Sequence, residues 1–144
     1  MVLLVPFDGG DLAVAALRRA AALSGHLDQP VVAVTVVRNR NAEAARGAGW
    51  LADGEPFDLD VIVGRLREQV RAEAPDAEFV YETVDRHAPT GVVSRRIRRT
   101  ATDREASMVV IGSDNAGRIV TSVSSLGRSL AAENAYDVLI VRSP

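Results

Sequence analysis

The 144-residue sequence contains no cysteine and no lysine; all 17 of its basic residues are arginine. Without cysteine there are no disulfides and no thiol chemistry, and the redox compartment stays open, with the cytoplasm as the default. Without lysine there is no GK[ST] phosphate loop, no Schiff-base amine, and no counterpart of the lysine that a phospho-receiver domain needs. Two histidines, His26 and His87, are too few for a zinc site of the usual ligands. Aromatic residues make up 4% of the chain, which poorly supplies base-stacking platforms, and a net charge of −2 argues against a general nucleic-acid binder. No apolar run approaches the ~20 residues of a membrane helix. The opening MVLLVPFD lacks a basic leader region and enters a strand at once, so no signal peptide is expected.

What remains is 47% hydrophobic and 25% charged, the balance of a soluble globular protein, and the length makes one domain over residues 1–144 the default. Val2 to Val5 reads as a buried strand ending in the turn Pro6-Phe7-Asp8-Gly9-Gly10. Asp11 can cap a helix from Leu12 to about Leu23, stopped by Ser24-Gly25. Val31 to Val37, β-branched almost throughout, reads as a strand buried on both faces.

From Arg38 to about Phe57 the periodicity disappears, although the segment carries Trp50-Leu51. A connection that long is usually functional or disordered. Two readings stand: a surface loop pinned by its tryptophan, or a lid or partner contact. In either case this is expected to be the least ordered part of the domain. A second helix follows, with Asp58 as cap and Leu59, Ile62, Val63, Leu66 and Val70 on its apolar side. Phe79 to Val84 alternates as a strand, placed at an edge. A third helix begins near Pro89 or Thr90 and turns Val93, Ile97 and Ala101 inward, with Arg95, Arg96, Arg98 and Arg99 on its solvated face.

The stretch around which the chain is organised is Met108 to Leu130. Met108 to Ile111 is an apolar strand that breaks at Gly112-Ser113, crosses a polar loop containing Gly117, and enters a serine-rich helix near Thr121 or Ser122. The free N–H groups and dipole of such a helix start favour an anion, and Ser122, Ser124 and Ser125 add hydroxyls. Equally, the serines could merely cap the helix. Tyr136 to Val141 closes the chain as a last strand.

Strands alternating with helices of this length imply a parallel open sheet with helices on both faces and right-handed crossovers. With the order 3-2-1-4-5, ligands bind where the order reverses, between the ends of the first and fourth strands. Asp8-Gly9-Gly10 and the Gly112 loop would converge there.

With these residues in place the sequence resembles the universal stress protein family over nearly its whole length. That resemblance implies a Rossmann-like, adenine nucleotide alpha hydrolase-like fold. In ATP-binding members the fourth strand leads into G-x2-G-x9-G-[ST]. Here Ile111 and Gly112 match its start, and Asn115 stands in place of the second glycine. The end of the motif has three registers: a strict count to Ser125-Leu126, an alignment from the last strand to Ser124-Ser125, and Gly117-x9-Gly127. We prefer the second, since it leaves Leu126 and Leu130 facing the core. Asn tolerates left-handed torsions better than most residues, so Asn115 is a mild departure, whereas Ser124 adds bulk where the backbone should meet a phosphate. By the same resemblance Asp8 matches the aspartate that meets the nucleotide, Pro6, Phe7 and Gly9 flank it, and Val36 matches the valine beside adenine.

The resemblance therefore implies a small cytoplasmic stress-response or regulatory module that binds ATP or AMP, with a divalent ion such as Mg2+. Its site would comprise Pro6, Phe7, Asp8, Gly9, Val36, Ile111, Gly112, Asn115, Gly117, Ser124 and Ser125. No nucleophile–base pair or organised carboxylate pair marks a hydrolase, so no enzymatic activity beyond slow phosphate release is expected. The resemblance also implies a homodimer through Val138 to Val141, an apolar strand whose edge would otherwise be unpaired. The alternative is a dimeric interaction protein of the same fold that has lost its ligand. No membrane or nucleic-acid partner is expected.

Overall fold

The computed structural model describes residues 1–117 and 136–144. The element order is β1 (Val2–Pro6), α1 (Asp11–Leu27), β2 (Val31–Arg38), α2 (Ala42–Gly47), α3 (Leu59–Glu73), β3 (Glu78–Val84), α4 (Thr90–Asp103), β4 (Ala106–Gly112) and β5 (Asp137–Val141). Among the described residues the strands form one five-stranded sheet in the order β3-β2-β1-β4-β5, parallel at every pairing. The parallel pairing is what the alternation of strand and helix patterns implies, and the order is the one supposed for it. The serine-rich helix expected near Thr121 or Ser122 lies outside the described residues.

The pleat sorts the core into two layers, because successive side chains on a strand point to opposite faces. Leu3, Val5, Val31, Ala33 and Val110 pack with Leu17 of α1 and Ile62, Leu66 and Val70 of α3. Leu4, Val32, Val34, Val109 and Ile111 pack with Val93, Ile97 and Ala101 of α4. The largely apolar runs in β1, β2 and β4 follow from this: most of their residues are buried, whichever face they take.

Both ends of α1 differ from the sequence reading. Helix α1 is not capped by Asp11, which is its first helical residue; Gly10 is the N-cap and has no side chain to offer. Nor does α1 stop at Ser24-Gly25. It runs on to Leu27 and ends where Asp28 turns left-handed (φ 53°, ψ 46°), its N–H donating to Ser24 C=O. A single glycine weakens a helix without ending it when the following residues still bond back. By contrast, Asp58 caps α3 as expected, its carboxylate accepting from Val61 N–H at 3.3 Å.

The segment expected to be least ordered is a built part of the fold. Asn41 caps the six-residue helix α2, accepting from Ala44 N–H at 2.9 Å, while its Nδ2 donates to Arg86 C=O at 2.9 Å. Ala45 and Leu51 are buried in the α1/α3 layer. The helical period escaped notice because α2 spans under two turns and is half alanine. Among the described residues no helix is long and apolar enough to cross a membrane.

Candidate functional site

The sheet order reverses between β1 and β4, and the turn leaving β1 is held there by side chains from β2, from α3 and from the connection that follows α2. Phe7 C=O accepts the Thr35 hydroxyl of β2 at 2.5 Å. Asp8 C=O accepts the Trp50 indole N–H at 2.8 Å. Gly9 C=O accepts Gln69 Nε2 of α3 at 2.9 Å. Asp8 folds its own carboxylate back, with Oδ1 accepting Gly10 N–H at 2.9 Å, the short-range turn that aspartate favours. Gly9 has φ +84°, a left-handed conformation that favours glycine, and a Cβ there would stand 2.9 Å from Gln69 Oε1, so the glutamine amide would have to shift.

A cavity of about 260 Å³ opens above this turn. Its floor is Pro6, Phe7, Asp8 and the carboxyl end of β2 from Val34 to Arg38; Val93 and Ile97 of α4 close one side, and Ala44, Ala45, Ala48 and Trp50 the other. Ile111 and Asn115 complete the lining from the β4 side. The ladder between β1 and β2 ends where Phe7 N–H donates to Val34 C=O at 2.8 Å. Since peptide groups alternate in direction along a strand, Val36 turns its N–H and C=O to the side that β1 has left. A donor and an acceptor therefore stand side by side over an apolar floor.

The turn after β4 supplies the other wall. Ser113 N–H donates to Val141 C=O at 2.8 Å and Asn115 N–H to Gly112 C=O at 3.0 Å. This brings the Asn115 amide to Asp8, where Nδ2 donates to Oδ2 at 2.8 Å. Gly112 has a packing reason to be glycine. A Cβ there would lie 2.7 Å from Leu12 Cβ and 3.1 Å from the Leu12 carbonyl carbon, and the backbone of α1 cannot yield as a flexible side chain could.

The wall formed by α2 and Trp50 is fixed from outside. Arg65 of α3 donates to Trp50 C=O at 3.0 Å and grips both oxygens of Glu55 at 2.9 Å. Glu55 Oε1 also accepts Ala52 N–H at 2.7 Å, and Arg46 reaches Glu55 C=O at 3.1 Å. The hydrogen bonds from Arg65 and then from Ala52 hold the Glu55 carboxyl below its ordinary pKa. A bidentate guanidinium–carboxylate pair of this kind adds geometric definition that a single contact lacks.

Of the residues singled out from the sequence, Pro6, Phe7, Asp8, Val36, Ile111 and Asn115 line one cavity. Gly9 and Gly112 stand behind it, shaping the two turns, and Gly117 is exposed. Ser124 and Ser125 lie outside the described residues. Sequence reasoning missed Thr35, Gln69 and Arg38. Arg38 lines the far end of the cavity and donates from Nε to Ala88 C=O at 2.8 Å. Trp50 was noticed as an anchor but not as a cavity wall, although a large aromatic residue in an otherwise polar connection was its signal.

A family model described as the universal stress protein family matches residues 1–142. No curated protein matched the sequence. Among solved structures, the chain is similar to a universal stress protein in complex with cAMP, at 21% identity over 100% of this chain and 98% of that one, with a TM-score of 0.57. It is similar to a member of the family from Burkholderia pseudomallei, at 21% identity over 99% and 96%, with a TM-score of 0.54. It is also similar to the universal stress protein of Archaeoglobus fulgidus in complex with dAMP, at 20% identity over 99% and 98%, with a TM-score of 0.54. The family match from one end of the chain to the other, on a sheet whose order reverses beside Asp8, leads to one conclusion: the chain belongs to the universal stress protein family.

Proposed function

We propose that the cavity binds an adenine nucleotide and that the protein acts as a regulatory or stress-response module rather than a fast catalyst. One observation carries this reading: the Val36 N–H and C=O face the crevice as an adjacent donor and acceptor between apolar walls. That pair complements the neighbouring acceptor nitrogen and amino group on the edge of adenine, while Val34, Ile111 and the α4 side chains cover the ring faces. Asp8 then lies within the same crevice to accept from a ribose hydroxyl, and the β4 turn leads away from it toward the phosphate side. The similar structures solved with cAMP and dAMP support an adenine ligand. Among the described lining residues no histidine stands beside a hydroxyl, and Thr35 Oγ1 donates to Phe7 C=O, so no activated nucleophile is evident.

A specific observation favours the alternative, an interaction protein without a ligand: both Asp8 oxygens already have partners. A carboxylate offers about four acceptor positions, so two remain for a ligand. Trp50, the single tryptophan of the chain, lines the cavity and makes the test direct. Titration with adenosine, AMP, cAMP and ATP should change its fluorescence saturably, with calorimetry giving the same dissociation constant. If none of them binds at millimolar concentration, the adenine reading falls and the interaction reading replaces it. We further propose a homodimer through β5, which among the described residues pairs on one side only, with β4.

A further inference from the structure

The adenine reading leaves open how much phosphate the crevice accepts. Resting on that reading, we propose that the site selects adenine ligands of low charge, the nucleoside or its monophosphate, over the triphosphate. The cause is the Asn115–Asp8 hydrogen bond, which sets fixed acceptors at the entrance to the phosphate path.

Asp8 as a carboxylate can only accept, so the Asn115 amide must present Nδ2 to it, as observed at 2.8 Å. The amide is thereby oriented, and its other arm, the acceptor Oδ1, is what Asn115 has left to offer. Among the described residues, the partners of the Asp8 carboxylate are Gly10 N–H and the Asn115 amide, both neutral donors, and neither cancels its charge. A second carboxylate, Asp114, is exposed on the same turn, its Oδ1 2.8 Å from where a Cβ on Gly112 would sit. The described part of this wall thus carries two anions and an amide oxygen.

The cation of the described lining is at the wrong end to offset them. Arg38 is anchored to Ala88, on the β3 side of β2, whereas the Gly112–Asn115 turn lies on the β4 side of β1. A phosphate chain passing Asn115 therefore approaches acceptors and moves away from the guanidinium. Each added phosphate brings further negative charge past these groups at short range, where like charges at reduced dielectric cost about a factor of ten in affinity or more. Glycine at position 115 would remove the amide and let Asp8 turn to other partners.

The test is calorimetry on the full chain with adenosine, AMP and ATP, first in EDTA and then in excess Mg2+. In EDTA, AMP and adenosine should bind about tenfold or more tightly than ATP, a gap that Mg2+ and added salt narrow by neutralising the phosphates. Asn115→Gly should raise ATP affinity relative to AMP. ATP binding as tightly as AMP in EDTA would overturn the proposal, as would an ATP/AMP ratio unchanged by Asn115→Gly. Should that variant fail to fold, the ranking in the unmutated protein decides alone. Absence of binding by all three ligands is a distinct result: it removes the adenine reading itself, and this inference with it.

Discussion

Asn115 Nδ2 donates to Asp8 Oδ2 at 2.8 Å, joining two turns that lie 107 residues apart in the chain. The bond crosses the point where the sheet order reverses, so it closes the crevice at one end while Asp8 Oδ1 holds the first turn through Gly10. Asp8→Ala removes both acceptors at once and leaves a half-buried amide unmatched. It should lower unfolding stability in urea by ~1–3 kcal/mol with no ligand present, and weaken adenine binding as well. Unchanged stability would mean that the bond is idle in the free protein.

Gly112 yields a prediction whose reason differs from the one the motif suggests. The motif makes its side chain an obstacle to phosphate, whereas the geometry places the first clash at Leu12 of α1. Gly112→Val should therefore destabilise the protein by ~1–3 kcal/mol even without nucleotide, as overpacking does. Thermal and urea unfolding of the ligand-free variant measure it. A variant of full stability that had lost only nucleotide affinity would restore the phosphate explanation.

The contrast marks what could be read in the sequence. Strands buried over most of their length announce themselves as apolar runs, and their alternation with helices implies a parallel sheet, for which the order 3-2-1-4-5 is supposed. Asp8, Val36 and Asn115 could be picked out through the resemblance to the universal stress protein family, and the fold sets each at or near the carboxyl end of a strand. Thr35 could not, since a threonine inside VVAVTVV reads as one more β-branched residue, and only the third dimension brings its hydroxyl to Phe7 C=O. Gln69 is likewise one polar residue on a helix until the fold sets it against Gly9. Helix α2 was hidden by its shortness and its alanines, which mark no amphipathic stripe.

Trp50 should act as both a strut and a reporter. Trp50→Phe keeps the ring but removes the N–H that satisfies Asp8 C=O at 2.8 Å. The expected loss is ~1 kcal/mol of stability and a measurable weakening of ligand, since the direct bond between the cavity wall and the Asp8 turn is then gone. Urea unfolding, followed by circular dichroism because the fluorophore is gone, checks the first part.

The clasp behind that wall sets a pH dependence. The pKa of Glu55 is lowered chiefly by its hydrogen bond from Arg65, and that of Glu73 by the one from Arg18. A carboxyl whose folded pKa lies below its unfolded value contributes stability above the unfolded pKa and loses it as pH falls through the folded one. Stability should thus be level from neutral pH down to about pH 5 and decline below about pH 4, where ordinary glutamates protonate. Glu55→Gln should flatten part of that decline, and because both pairs are exposed, salt should flatten it too. An acid profile identical in the variant would remove Glu55 from the account.

The dimer proposal has a sharp test because the direction of each peptide in β5 is fixed. Ser113 N–H donates to Val141 C=O, so Val141 and, by alternation, Leu139 point their peptide groups at β4. Val138 and Ile140 point theirs outward, along the outer edge of the described sheet. Their side chains pack on the α4 layer and are only half-buried. Pairing with a second copy across a twofold axis would satisfy both edges at once, antiparallel, with the same surface used by each protomer. Ile140→Pro removes an outward N–H without breaking the bonds to β4, so it should give a folded monomer, with some loss of stability from the lost side-chain packing. Sedimentation at micromolar concentration checks both proteins, with circular dichroism confirming that the variant is folded. An unmutated protein that is monomeric there would refute the dimer, and a dimeric Ile140→Pro variant would place the interface elsewhere.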